Sequence, residues 1–309
     1  MSGRVVCVGH VMVDVIATLA APLAPGSDTP APIELRPGGS AANTAAWAAR
    51  AGAPASFVGR VGDDDFGRRA VSTLQEAGVA AHVTVDPHES TGLCLVLVGP
   101  DGERTMVPSI GANAYLQPDD LPDVAVGDLW HLSGYVLFDP RSRAAGLAAL
   151  DRARAGAARI SVDAASSAPL AAFGPRHFLD IVAGIDMLLA NRDEADVLTD
   201  GLEPAPAARR LHESVPLVLV KDGARGVVVA VDGTVRRFAG LALTARDSTG
   251  AGDAFAGTFL ARVAVGAELD DAVAVAGAAA AEAVRYLGAR PVTEGRTRCL
   301  PGRGASPTN

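Results

Sequence analysis

What the 309-residue chain is short of excludes several classes of function. Cysteine occurs only at Cys7, Cys94 and Cys299, an odd number, widely spaced and without a CxxC pair. That usage argues against a disulfide framework and a thiolate zinc site, and for a reducing compartment. The six histidines are scattered, and none reads as a metal ligand. No run of lysine or arginine exceeds a pair, and 27 cationic against 35 acidic residues give a net charge of −8. The positive footprint of a nucleic-acid binder is therefore missing. Residues 5–25 resemble a secretion signal only superficially, because Gly9, His10 and Asp14 interrupt the apolar run. Residues 272–287 carry Glu282 and Arg285 and read as a buried helix rather than a membrane span. A cytoplasmic protein that handles small molecules is the expectation.

What is present is alanine, valine and a regular alternation. Short β-branched runs at residues 4–8, 55–59, 128–132, 160–163, 187–190 and 217–221 alternate with helical patterns at 40–51, 65–77, 140–155, 193–198 and 206–213. This is the pattern of an α/β fold with a mostly parallel central sheet and crossover helices. Several strands end in polar residues, such as Asp163 and Asn191, at the edge where such sheets bind ligands. Two stretches break the rhythm. Residues 91–98 and 103–108 flank the turn cluster Gly99-Pro100-Asp101-Gly102 and read as a hairpin, while residues 11–35 have strand-like ends around a proline- and glycine-rich loop. The two pieces could pair into a small β lid that excludes water from a ligand, or be unrelated surface hairpins.

Residues 247–255, Asp-Ser-Thr-Gly-Ala-Gly-Asp-Ala-Phe, form a glycine-rich turn running into a helix over 254–263. Glycines let backbone amides converge, and the helix start adds partial positive charge at the same point, which makes an anion cradle. Asp253 sets a carboxylate beside it. That suits a group accepting the proton of an alcohol that attacks a phosphate; alone, it would equally suit a favourably charged helix start. Near the N-terminus, Gly38-Gly39 precedes a helix carrying Asn43, and Asp14 follows the first strand. Bare backbone at Gly38 and Gly39, the two-sided amide of Asn43 and the acceptor-only Asp14 suit a polyol. Each alone also reads as ordinary turn, helix-face or loop chemistry, so the signal is their joint occurrence with the C-terminal cradle.

Together, the Gly38-Gly39-x-x-x-Asn43 and 247–253 motifs resemble the two signatures of the ribokinase-like (PfkB) carbohydrate kinases. The likeness extends through residues 58–67, Gly111-Ala112-Asn113, Asn191-Arg192-Asp193-Glu194 and Lys221-Asp222-Gly223-Ala224-Arg225-Gly226, in the family's order. It implies a three-layer ribokinase-like, Rossmann-like core over residues 1–11, 37–89 and 109–298, a β lid over 12–36 and 90–108, and a flexible tail over 299–309. It also implies ATP and Mg2+ as cofactors. Asp253 would be the base, with the Gly250, Ala251 and Gly252 amides steadying the transferring phosphoryl group. Asn191 and Glu194 would organise magnesium through water, while Lys221, Gly223 and Gly226 would lie beside the nucleotide. Asp14, Gly38, Gly39, Asn43, Arg104 and Asn113 would meet the sugar. Asp247 and Thr249 match positions that hold a monovalent cation, K+, in several relatives. A homodimer through the apolar lid strand at 93–98 is a further expectation.

One departure bears on the substrate. Ribokinases proper carry a lysine where this chain has Ser40, so the likeness does not single out ribose among the family's sugars. The lid pieces carry few cations, chiefly Arg36 and Arg104, whereas a phosphorylated sugar would want several. The expected substrate is a neutral sugar or sugar acid such as ribose, fructose or 2-keto-3-deoxygluconate, with Arg104 able to pair a carboxylate. Alternatives are a nucleoside kinase, disfavoured by an aromatic content of 4%, and an inactive sugar- or ATP-sensing module, disfavoured by the intact motifs. A dinucleotide oxidoreductase would need Gly-x-Gly-x-x-Gly after the first strand, which Gly9-His10-Val11 does not supply.

Overall fold

The computed structural model describes residues 3–101, 103–241 and 247–291, so Cys299 and the expected tail lie outside the described residues. Two sheets are present among them. The strands are β1 (Val5–Val8), β2 (Met12–Thr18), β3 (Ile33–Gly38), β4 (Ala55–Gly62), β5 (Val79–Asp86), β6 (Leu93–Val98), β7 (Arg104–Ser109), β8 (Leu129–Ser133), β9 (Arg159–Asp163), β10 (Met187–Asn191), β11 (Leu217–Lys221), β12 (Val227–Val231) and β13 (Thr234–Phe238). The helices are α1 (Ser40–Arg50), α2 (Asp65–Glu76), α3 (Tyr135–Phe138), α4 (Arg143–Ala155), α5 (Ser167–Phe173), α6 (Pro175–Ile181), α7 (Arg192–Thr199), α8 (Pro204–His212), α9 (Ala251–Ala264) and α10 (Leu269–Ala283).

The large sheet runs β13-β12-β11-β10-β9-β8-β1-β4-β5, parallel throughout except for the β11–β12 and β12–β13 pairs. Side chains of successive strand residues face opposite ways, so each strand feeds two cores. Val6 and Val8 join Trp130, Leu132 and Val162 on one face. Val5 and Cys7 join Leu129, Leu189 and Phe259 on the other. Each such residue, fully buried, stabilises by about 1.5–3 kcal/mol before entropy is counted. Helices therefore cover both faces, giving the three layers.

Some boundaries move for local reasons. The helix expected from residue 140 starts at Arg143, because Asp139 precedes a proline and stays extended at φ −77°, ψ 123°. The helix expected from 206 starts at Pro204, where a proline at the first helical position lacks only a donor that has no partner there.

The small sheet has the order β3-β2-β6-β7, with β2 and β6 parallel. The two pieces that break the α/β rhythm thus pair with each other. Gly99 N–H donates to Glu103 O at 2.8 Å to close the β6–β7 hairpin, although Gly102 of the expected turn is outside the described residues. In the large sheet, β4 lies to one side of β1 and β8 to the other. Connections leaving in opposite directions open a crevice at the carboxyl ends of the strands. The small sheet covers that crevice.

Candidate active site

A cavity of about 1300 Å3 occupies the crevice, large enough for two substrates end to end. The residues at or just beyond the ends of four parallel strands reach it: His10 after β1, Asp163 of β9, Asn191 of β10 and Lys221 of β11.

Helix α9 aims its N-terminus into this space. Gly250, its N-cap, has a left-handed φ of +76°, and a Cβ there would stand 2.4 Å from Ala289 Cα. Both facts require glycine. Gly250 does not line the cavity, whereas Ala251, Gly252 and Asp253 do. Gly250 shapes the turn that presents the next three residues. No side chain caps the helix; Ala251 N–H donates to Ser248 O at 3.3 Å, and the Gly252 and Asp253 amides, which have no partner within the helix, point out of its end. Gly250→Ala should lower the unfolding free energy by about 1–3 kcal/mol, measured by chemical denaturation; an unchanged midpoint would contradict this packing.

Asp253 is brought to its partners by helix packing. A Cβ on Gly257 would stand 2.2 Å from Thr44 O, so α1 and α9 cross in backbone contact. Across that contact Ser40 Oγ donates to Asp253 Oδ1 at 2.9 Å and Asn43 Nδ2 donates to Oδ2 at 2.8 Å. Burial pushes the carboxyl up to about 6, against the pull of these two donors. The group is ionised at neutral pH yet is a stronger base than a free aspartate.

Lys221 Nζ pairs with Asp163 Oδ2 at 2.7 Å and lies over the turn, 3.4 Å from where a Cβ on Gly252 would be. Burial works against its charge, but Asp163 and Glu194 outweigh it and hold the ammonium above its ordinary range. Asn191 and Glu194 form a reciprocal capping box: Asn191 Oδ1 accepts from Glu194 N–H at 2.9 Å, and Glu194 Oε2 accepts from Asn191 N–H at 2.7 Å. Burial and the neighbouring Asp163 push Glu194 upward. Asp222, beside Lys221, is ringed by Arg192, Arg225 and Arg237. That cluster fixes the turn containing Gly223 and Gly226, whose φ values are +56° and +95°. Beyond the turn the cavity ends in an apolar recess of Val227, Phe238, Val273, Gly277 and Val284.

Among the described residues no group of three or more His, Cys, Asp or Glu is arranged to hold a metal directly. The donor set still suits Mg2+, which keeps most of its waters and takes few protein carboxylates. Asp253, Asp163 and Glu194 face the single ammonium of Lys221, leaving excess negative charge that a hydrated dication relieves.

At the lid end, Asp14 is 6% exposed and lines the cavity, and burial pushes its carboxyl up to about 6 although Arg290 opposes the shift. Other expectations here change. A Cβ on Gly38 would stand 2.3 Å from Asp14 Oδ1, and one on Gly39 would stand 2.5 Å from His10 O. The paired glycines admit the protein's own β1–β2 segment, and only Gly39 also reaches the cavity. Asn113 does not line it: its Oδ1 accepts from Val11 N–H at 2.9 Å, and its Nδ2 donates to Val11 O and Ile110 O at 2.9 and 3.0 Å. It clamps the base of the lid, and its amide is already satisfied.

Arg104 does not offer a free guanidinium to a substrate carboxylate. It reaches from β7 to Asp247 Oδ1 at 2.8 Å and Thr249 Oγ1 at 2.6 Å. Asp247 also accepts from Thr249 N–H and Gly288 N–H, each at 2.8 Å. A guanidinium thus stands on the carboxylate expected to face a monovalent cation. The described groups at Asp247 and Thr249 do not fit K+ while Arg104 is docked.

Ser40, Asp163 and Arg290 belong to the site by contact but carry no role in the motifs. His10 and Tyr135 stack at a centroid distance of 5.4 Å, with Tyr135 edge-on to Phe138 at 6.1 Å. All three line the cavity. They rise from the core strands' ends, which is why an aromatic-poor lid gave no sign of them.

A family model for the pfkB family carbohydrate kinase matches residues 2–295. A fructokinase of Klebsiella pneumoniae is 32% identical over 249 residues, covering 78% of this chain and 81% of that protein. The crystal structure of adenosine kinase from Sinorhizobium meliloti superposes with a TM-score of 0.86 at 27% identity, covering 95% of this chain and 97% of that one. A fructokinase double mutant from Vibrio cholerae O395, in a form with fructose, ADP and potassium ion bound, superposes with a TM-score of 0.79 at 29% identity, over 93% and 94%.

Proposed function

The chain belongs to the pfkB family of carbohydrate kinases, and from that premise we propose that it transfers the γ-phosphoryl group of ATP to a hydroxyl of a neutral sugar, with Asp253 as the base. The observation that carries this reading is the Asp253 carboxylate lining the cavity on the first turn of an uncapped helix. In a loose phosphoryl-transfer transition state, positioning and charge stabilisation do most of the work, and the proton leaves late. The Gly252 and Asp253 amides and the Lys221 ammonium would steady the transferring group. Asp253 would take the proton from the attacking hydroxyl. Asp14 would accept from sugar hydroxyls, and the apolar recess beside Gly223 would take the adenine. Mg2+, held through water by Glu194, would neutralise charge on the phosphates when bound.

A sugar acid is less favoured than a neutral sugar, because Arg104 is committed to Asp247. A phosphorylated hexose is disfavoured for the same shortage of free lid cations. A second reading, a nucleoside acceptor, is supported by the stacked His10 and Tyr135 and by the likeness to an adenosine kinase. A coupled ADP-release assay across fructose, ribose, 2-keto-3-deoxygluconate, fructose 6-phosphate and adenosine tests these readings. Neutral sugars should have the highest kcat/KM; a preference for the sugar phosphate would refute the assignment, and a preference for adenosine would establish the second reading.

The lid, residues 12–36 and 90–108, is inferred to close over the sugar and to pair with a second copy. Leu35, Val15, Leu95 and Val107 lie in one register row across its four strands, and Leu35, Leu95 and Val107 are 39%, 40% and 54% exposed. An exposed apolar sheet face of this kind favours association. Sedimentation at micromolar concentration should give a dimer that Leu95→Asp dissociates. A wild-type monomer would overturn this inference.

A further inference from the structure

We propose that Arg290 is a positioning residue for the catalytic base: it fixes the side-chain amide of Asn43 in the one orientation that donates to Asp253. The inference rests on the assignment of Asp253 above and extends it to a residue outside every recognised motif.

The geometry is a relay. Arg290 Nε donates to Asn43 Oδ1 at 3.1 Å, and Asn43 Nδ2 donates to Asp253 Oδ2 at 2.8 Å. An amide can flip, and its two ends differ only in whether they donate or accept. A guanidinium has donors alone, so Arg290 admits only the flip that turns Oδ1 towards itself. Nδ2 is then turned to Asp253. In the reverse flip, the amide oxygen would face the carboxylate and repel the ionised form that the reaction needs.

Arg290 is itself held on three sides. Its Nη1 donates to Thr73 Oγ1 and its Nη2 to Gly38 O, both at 3.0 Å. The strip that carries it is pinned as well: Gly288 N–H donates to Asp247 Oδ2 at 2.8 Å, and Trp47 Nε1 donates to Ala289 O at 2.9 Å. Asn43 lines the cavity, and with one bond at each end of its amide it keeps an N–H and a lone pair free while it holds the base. Arg290 does not line the cavity, so it acts through Asn43 and not on substrate.

Other groups act on Asp253 and stay in place when Arg290 is replaced. Ser40 donates to Oδ1 from α1. Asp163 of β9 raises the proton affinity of Asp253 and Lys221 of β11 lowers it, while Cys7 of β1 and Tyr135 of α3 face it in their neutral forms. Arg290 also acts directly as a charge, on both Asp253 and Asp14. The test has to separate that field from the relay.

The experiment is a double-mutant cycle read on the pH dependence of kcat/KM. Full-length wild type, Arg290→Met, Asn43→Ala and the double variant are compared with ATP, Mg2+ and the preferred sugar. Losing one hydrogen bond to a charged group should move the acid limb up by about one pH unit, a loss of about fivefold at pH 6 that approaches about tenfold well below it. Each single variant should show that shift, the double variant no more than Asn43→Ala alone, and Arg290→Lys should recover most of it. A limb that stays put in Arg290→Met while kcat/KM falls evenly at all pH values would mean a purely structural role. A double variant shifted by the sum of the singles would mean a direct field rather than a relay. Either result overturns the proposal. If Arg290→Met does not fold, the comparison of Arg290→Lys and Arg290→Gln with Asn43→Ala decides on the same readout: a limb shift only where the donor to Asn43 is lost supports the relay, and none in any of them refutes it. A limb absent from wild type itself would instead fault the assignment of Asp253.

Discussion

Asp253→Asn should cut kcat by about 10²–10⁴-fold, the contribution expected of a positioned general base, while dissociation constants for ATP and sugar change little. Ser40 and Asn43 donate to the carboxylate, and an asparagine oxygen still accepts from one of them. The fold should therefore survive. At neutral pH it should gain slightly, by the following linkage. Burial raises the folded pKa to about 6, whereas an aspartate in an unfolded chain titrates near 4. The ionised carboxylate therefore lowers stability; this cost is absent below about pH 4, grows between 4 and 6, and is complete above 6. Asparagine removes it. Calorimetric binding with stopped-flow turnover separates the outcomes: unimpaired binding with lost turnover supports the assignment, and retained turnover refutes it.

The second large effect falls on Lys221. It is the chain's single lysine, every other cation among the 27 being arginine. The compact ammonium pairs with Asp163 and lies over the Gly252 turn, and a planar guanidinium fork would present its charge with a different geometry. Lys221→Met leaves Asp163 buried without its partner, which costs about 3–5 kcal/mol for a pair of this kind, and removes the charge proposed to steady the transferred group. Stability and kcat should fall together. Adding Asp163→Asn should recover most of the stability, measured by denaturant midpoint, and little of the activity. If the double variant recovered both, the ammonium would be structural only. Lys221→Arg should also be impaired, since a larger planar fork does not reproduce a point charge at that place.

How far this was legible in the sequence depended on distance along the chain. The turn at residues 247–253 reads locally, because small residues, a left-handed glycine and the following helix lie within a few positions. The alternation of strands and helices reads for the same reason. Arg290 does not, because it meets Asn43 across 247 positions and neither residue's neighbours announce the other. The Arg104–Asp247 pair likewise joins a lid hairpin to the glycine-rich turn at 247–253, so an arginine that reads as a substrate ligand is engaged by protein. Asn113 sits in a recognisable motif, yet its amide is turned to the backbone of Val11 rather than to the cavity. Gly38 and Gly39 were identifiable as places of close approach, but not what approaches. One available signal went unused: a lone lysine in an arginine-rich chain marks a site where the two cations are not interchangeable.

The most direct measurement is a crystal structure of the full chain with the preferred sugar and a non-hydrolysable ATP analogue. The account predicts one sugar hydroxyl within hydrogen-bond reach of the Asp253 carboxylate, roughly 2.6–3.2 Å, with the γ-phosphate beyond it against the first turn of α9. A sugar whose hydroxyls all lie out of reach of Asp253, or a γ-phosphate held away from α9, would contradict it.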